Sequence, residues 1–410
     1  MADDYLHLLA VHRLAEPLTG HFAAWFSRVP VWAVASWALF TSQWLEQSWS
    51  AVHLAFACHA TGLVLMVAAL LRALPVPTEL GVLRPLLASM VACLYSNTYE
   101  ILFWPTCMAY TLGSLALGLG AYARRRGTQA LAFTVAGLTY ETFILPALAW
   151  ALLPALAATG SRRWALARRG AATWGAALVA VLAARAAGAW GQAPFVHLTD
   201  FAPGHVAVHL SAALAQLVRL RHYRMHTALG PSLALVATLA LGVQGLRGVR
   251  RQQALALLAA AAGSTALAWV LAYEAIRSVY GAQLLLCATL AWLLCHGLAA
   301  SGWRLMATMV LAVVLAAGYA AHHAELIEIK VRNAARLVAL EADWATRMRA
   351  CTGPCTLRYD NLGAGLEPDW VLPPSDAPRF LAWVQHKHAV KQVLNFVPQS
   401  YDAQAPSTSP

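Results

Sequence analysis

Two adjacent aspartates open the chain, Asp3 and Asp4 in MADDYLHLLAVHRLAEPL. A neighbouring like charge raises the pKa of one carboxyl of such a pair toward working pH, which suits a general base contributing about 10² to 10⁴ in rate. The plainer role is to cap a helix starting at Tyr5, a contact worth about 1 kcal/mol. Carboxylates recur in Tyr99-Glu100 (NTYEILFWPTCMAY), Tyr140-Glu141 (GLTYETFILP) and Tyr273-Glu274 (LAYEAIRSVY). For 12 Tyr and 10 Glu in 410 residues, chance supplies about 0.3 such dipeptides, so three point to a shared context. Arg277, one helical turn after Glu274, carries a planar fork that binds phosphate oxygens bidentately. An ion pair with Glu274 is its plainer role, worth little at a wet surface.

These residues belong to an oily chain. Hydrophobic residues make up 60% and charged residues 11%, far below the roughly 25% charge of a soluble domain. The composition is that of a polytopic, all-α integral membrane protein. A net charge of +11 would suit nucleic acid, but 26 of the 29 cations are Arg in short clusters between apolar runs. Such clusters mark topology, and nucleic acid is not expected as a partner.

About ten apolar stretches are long enough, or nearly so, to cross a bilayer. They lie near 51–73, 82–97, 105–123, 128–140, 142–158, 171–189, 229–246, 253–273, 281–298 and 304–320. Placing the loops with Arg72 and Arg84, Arg124 to Arg126, Arg162 to Arg169, Arg247 to Arg251 and Arg304 inside puts thirteen cations on the cytoplasmic face. Then 17 of the 18 acidic residues, all but Glu79, lie at or beyond outer helix ends, and both termini are outside. Glu100, Glu141 and Glu274 all fall where a helix reaches the outer surface. Interfacial depth makes a carboxylate cheap there, against at least about 2.5 kcal/mol at the bilayer centre. Their common face, with the acidic start beside it, points to a shared polar cavity. Pro105 and Pro146 near outer helix ends are placed to break helices there.

Three regions follow. Residues 1–50 hold the acidic motif and a Trp-rich stretch from Arg28 to Trp49 that suits a helix lying in the interface. Residues 51–320 form the transmembrane bundle, with an exterior loop at about 190–228 carrying five histidines and Arg219, Arg221 and Arg224. The scattered histidines lack a tight ligand motif, so no metal or other cofactor is indicated. Residues 321–410 read as a small exterior α/β appendage: an amphipathic helix, a strand-like CTLRYDNL, a second helix at about 378–392 and a disordered end. Cys351 and Cys355 in CTGPC are spaced to close a small disulfide in an oxidising compartment, with zinc the weaker reading. The other cysteines, and His53 and His59 inside the first span, read as packing and satisfied polar groups.

An exterior Asp-Asp-Tyr, a helical outer segment ending in an arginine like Arg28, a Glu followed by Phe-Trp and a Tyr-rich span, a further exterior Glu at Glu141 and an Arg opening a late span in AIRSVYGAQLLL form one layout. In it the chain resembles the GT-C superfamily of polytopic glycosyltransferases, of the bacterial polyprenyl-phosphate-sugar type. The exterior tail, with a helix, a short strand and the helix of WVQHKHAV, is similar too. Members have a complete span ahead of the acidic motif, and the expectation here is a lost first span or an amino end exported as a short tail.

The resemblance implies transfer of a sugar from a polyprenyl-phosphate-linked donor to an envelope glycan or lipid acceptor, on the periplasmic face of a bacterial inner membrane. Asp3 or Asp4 is then the catalytic base. Arg277, with Arg28 and the loop arginines, holds the phosphate, and Asn97, Tyr99, Glu100, Trp104 and Glu141 bind or position the sugar. Two other readings use the same exterior charges. An O-antigen polymerase or ligase concentrates arginines in one large exterior loop, and a flippase of lipid-linked sugars needs polar groups at mid-depth and related halves. Few mid-span charges and no clear repeat are present, which favours an enzyme over a flippase, while the three arginines of the 190–228 loop keep the polymerase or ligase as the alternative.

Overall fold

The structure, a computed structural model, describes residues 30–41, 50–76, 87–91, 105–188, 229–272, 276–350, 356–358, 377–390 and 395–397. Helices α1 (Pro30–Thr41), α2 (Ser50–Ala73), α3 (Pro105–Met108), α4 (Tyr110–Tyr122) and α5 (Arg126–Thr139) lead to a 3₁₀ turn at Glu141–Phe143. Helices α6 (Ile144–Leu156), α7 (Gly160–Gly188), α8 (Leu229–Gly245), α9 (Gly248–Ala272), α10 (Ile276–Leu298) and α11 (Trp303–Ala350) follow. Beyond them, β1 (Thr356–Arg358) and β2 (Asn395–Val397) pair in parallel, with α12 (Ala377–Lys387) between them in sequence.

The described fold is thus largely helical, and four of its helices are long and apolar enough to cross a membrane: Ala51–Ala73, Gly160–Ala187, Val279–Leu298 and Trp303–Ala321. Helices satisfy their own backbone, which is what an apolar solvent demands. Other expected stretches hold helices too, but α4, α5, α6 and α8 are shorter, at 13 to 17 residues. The ten-span count therefore goes beyond what the described lengths establish.

The core is organised around α10. In its apolar window 83% of residues are buried, against 17% at the start of α11 and 22% in α7, so α10 runs through the centre and the others present outer faces. Ala- and Gly-rich surfaces let the neighbours approach closely. A Cβ on Gly62 would collide with the Ser114 carbonyl, and one on Gly118 with the Gly62 carbonyl, so α2 and α4 pack backbone to backbone and run parallel. Buried polar groups tie helices together. His59 Nδ1 and the Tyr280 hydroxyl lie 2.7 Å apart between α2 and α10, and Trp292 Nε1 donates to the Leu74 carbonyl at 2.9 Å. His59 is fully buried and His53 exposed, which matches a packing role for the former.

Three expectations change. The Trp-rich stretch yields α1, but Trp32 is 2% exposed and stacks on Tyr110 at 6.2 Å, so this helix packs into the bundle rather than only resting on it. Pro146 does not break a helix: it sits in the first turn of α6, where its missing N–H is harmless, and the break falls at Tyr140, whose backbone is extended. Pro154 instead lies inside α6. Finally, the span near 304–320 and the amphipathic helix after it are one continuous 48-residue helix, α11, because no Gly or Pro interrupts it after Gly318.

The far end of α11 docks α12 through Trp344 and Phe380, with ring centroids 5.3 Å apart and both side chains buried. Beside them Glu341 accepts from Lys387 Nζ at 3.0 Å and contacts His388 Nε2 at 2.7 Å, while an Arg349 nitrogen lies 3.3 Å from His388 Nδ1. Arginine only donates, so Nδ1 accepts and the His388 ring proton belongs on Nε2, facing the carboxylate. The second helix ends at Lys387, short of the expected 392, and the strand covers three residues of CTLRYDNL.

Candidate functional site

The charge distribution of the bundle selects the site. From residue 50 to residue 324 the described segments hold one carboxylate, Glu141. Arginines gather at the other end, in the turns that join α4 to α5, α6 to α7, α8 to α9 and α10 to α11. Shared clefts put these turns at one end: Arg72, Ala123, Ala157 and Arg162 line one, Arg247, Arg250, Ala300 and Arg304 another, and Gln253 Nε2 of α9 donates to the Leu156 carbonyl of α6 at 2.9 Å.

Glu141 owes its place to a local break. Helix α5 ends at Thr139, the Tyr140 N–H bonds back to the Ala136 carbonyl at 3.1 Å, and the chain re-enters a helix through Glu141, Thr142 and Phe143. The carboxylate thereby stands at the amino end of a helix, where the backbone dipoles favour negative charge. Across from it, in the last turn of α7, Arg185 stands where a cation is favoured. The Arg185 guanidinium lies 3.6 Å from Glu141, with side chains 28% and 18% exposed, so the pair is largely but not wholly removed from water. Helix α7 is held in register by Trp174, whose Nε1 donates to the Ile144 carbonyl at 2.7 Å.

Aromatic rings wall this end. Tyr140 meets Tyr110 at 4.8 Å, and Tyr110 stacks on Trp32. On the other flank Phe143 meets Tyr280 edge-on at 5.7 Å, and Tyr280 stacks on His59 at 5.8 Å. These rings are buried against one another, so they pack this end of the bundle beside the ion pair. Compared with known protein families, characterised proteins and solved structures, the chain matches none. The site is therefore read from its own geometry.

Of the residues singled out from the sequence, Glu141 is described in full and stands at this end. Arg277 lies in the first turn of α10, three residues before Tyr280, so its backbone belongs to the same end; its side chain lies outside the described residues. Asp3, Asp4, Arg28, Asn97, Tyr99, Glu100, Trp104, Cys351 and Cys355, and the loop at 190–228, lie outside them as well. Among the described residues no group of three His, Cys, Asp or Glu side chains could hold a metal ion. Arg185 was not singled out. Its signal was present, since it is the one charge in the apolar run GAALVAVLAARAAG, and an isolated ionisable residue in a span calls for a functional hypothesis.

Proposed function

We propose that the chain is a GT-C-like membrane glycosyltransferase that moves a sugar from a polyprenyl-phosphate-linked donor to an envelope glycan or lipid acceptor on the exterior face. The observation that carries the proposal is the polarity of the bundle: in its described segments from residue 50 to residue 324, a single carboxylate, paired with Arg185 beside packed tyrosines, opposite an end crowded with arginines. By the positive-inside rule the Glu141 end is exterior. In this reading about ten spans form the bundle, residues 321–410 form a small exterior α/β appendage, and the protein is a multi-pass component of a bacterial inner membrane.

The division of labour follows from the chemistry. Asp3 or Asp4 takes the acceptor proton, Arg277 with Arg28 binds the departing phosphate, and Glu141 with Asn97, Tyr99, Glu100 and Trp104 orients the sugar. Arg185 joins them as a positioning residue that holds the Glu141 carboxylate. The sequence shows no nucleotide-binding motif, which suits a lipid-linked donor whose phosphate leaving group the arginines neutralise.

The test is mass spectrometry of envelope glycans and polyprenyl-linked sugars in a deletion strain of the native host. The strain is complemented with wild type, Asp3→Asn, Asp4→Asn, Glu141→Gln or Arg277→Ala. The expected outcome is loss of one sugar on deletion, restored by wild type and by no more than one of the two Asp→Asn variants at equal protein level. Full restoration by both would reduce the acidic pair to a helix cap. Accumulation of intact lipid-linked glycan with no sugar lost would favour the polymerase, ligase or flippase instead.

A further inference from the structure

The arginine-bearing end contains a built cleft of about 500 Å³ among the ends of α2, α4 and α6 and the starts of α5 and α7. Its size falls in the range of roughly 300 to 1,000 Å³ typical of small-molecule sites. Arg72, Gln129, Trp150, Thr159 and Arg162 supply its polar lining, and among the described residues no carboxylate lies on it. We propose that this cleft binds a phosphate group, carried by a lipid headgroup or free in solution. The inference goes beyond sugar transfer and does not rest on it, since the cleft lies at the end opposite Glu141.

Three observations converge. Arg72 is held in place before any ligand arrives: one guanidinium nitrogen donates to the Tyr122 carbonyl at 2.9 Å, and the guanidinium lies 4.6 Å over the Tyr122 ring. A guanidinium has five N–H donors, so most stay available for oxygens arriving from the cleft. Next, α7 begins at this wall. Gly160 takes a φ of 60° at its first position, and the 29-residue helix presents its unpaired N–H groups with Arg162 in the first turn. Helix starts favour anions through those N–H groups and the aligned dipoles.

The third observation is Trp150. It lines the cleft, is 1% exposed, and its indole Nε1 is a buried donor with no hydrogen-bond partner among the described residues. Buried donors are rarely left unsatisfied, and an indole can only donate, so an acceptor oxygen is its fitting partner. Gln129 is already pinned, its Nε2 donating to the Gly120 carbonyl at 3.1 Å, and so keeps the wall between α4 and α5 in shape. Two guanidiniums, a helix start and a buried N–H match the tetrahedral oxygens of a phosphate mono- or diester.

The experiment is isothermal titration of the detergent-solubilised full chain with inorganic phosphate and, separately, with dihexanoyl phosphatidylglycerol. Binding of both probes identifies the phosphate itself as the recognised group; binding of the lipid alone identifies a headgroup site in which glycerol also contributes. In either case Arg72→Ala and Arg162→Ala each weaken binding at least about tenfold, and Trp150→Phe, which keeps the ring and removes the N–H, weakens it about three- to tenfold. Arg162 is exposed, so its loss leaves packing intact and decides the matter even if Arg72→Ala fails to fold. Arg163, exposed one residue later and not on the cleft wall, is the control, with Arg163→Ala within about twofold of wild type. Failure of both probes to bind overturns the proposal. So does an Arg163→Ala loss as large as that of Arg162→Ala, which would reveal only a generally cationic surface.

Discussion

At the scale of single residues, the Glu141 and Arg185 pair concentrates the chemistry of the described bundle. A fully exposed ion pair contributes little, about 0 to 1 kcal/mol, whereas removing one partner of a buried pair leaves an uncompensated charge. With side chains 18% and 28% exposed, this pair lies between those limits. A double-mutant cycle with Glu141→Ala and Arg185→Ala, read by thermal or denaturant unfolding in detergent, should give a coupling of at least about 0.5 kcal/mol. Additive effects would mean that the two charges only face each other. Glu141 was legible in the sequence because a Tyr-Glu dipeptide stands out in an oily chain. Its partner was not, because residues 44 positions apart in sequence meet only through the packing of α6 on α7.

At the scale of elements, close backbone approach decides the packing. Gly62 touches the Ser114 carbonyl, so Gly62→Leu must push α2 away from α4 and should destabilise the bundle by about 1 to 3 kcal/mol or more. Around Gly175 in α7, by contrast, nothing lies within 4 Å of the place a β-carbon would take, and Gly175→Leu should be tolerated or slightly stabilising. Melting temperature and gel-filtration profile of the two variants give the comparison; equal behaviour would mean that α2 and α4 are not in contact through Gly62. Helix positions were largely readable from apolar runs, since Ala and Leu favour helix and the breaks carry Arg or Gly. The continuity of α11 was not, because a change from apolar to amphipathic composition leaves the backbone hydrogen bonds unbroken.

At the scale of the whole molecule, the proposed function takes its orientation from the separation of charge. Helix α7 offers a direct check, since its candidate span of 28 residues is about 42 Å long, more than the roughly 30 Å hydrocarbon core. Single cysteines at Arg163 and Ala187, both exposed and at opposite ends, should react with a membrane-impermeant maleimide from opposite sides, Arg163→Cys from the cytoplasm and Ala187→Cys from the exterior. Labelling of both from one side would remove α7 from the set of spans and the exterior assignment of Glu141 with it. The sequence by itself determined the apolar, span-like composition, most helix positions and the segregation of arginines from Glu141, because all three follow from composition and order along the chain. Only the tertiary structure decided which helix lies at the centre, that Arg185 answers Glu141, and that Arg72, Trp150 and Arg162 share one cleft. Those facts depend on which faces of different helices meet, and the near-uniform apolar surfaces of Ala and Leu helices carry little of that information in one dimension.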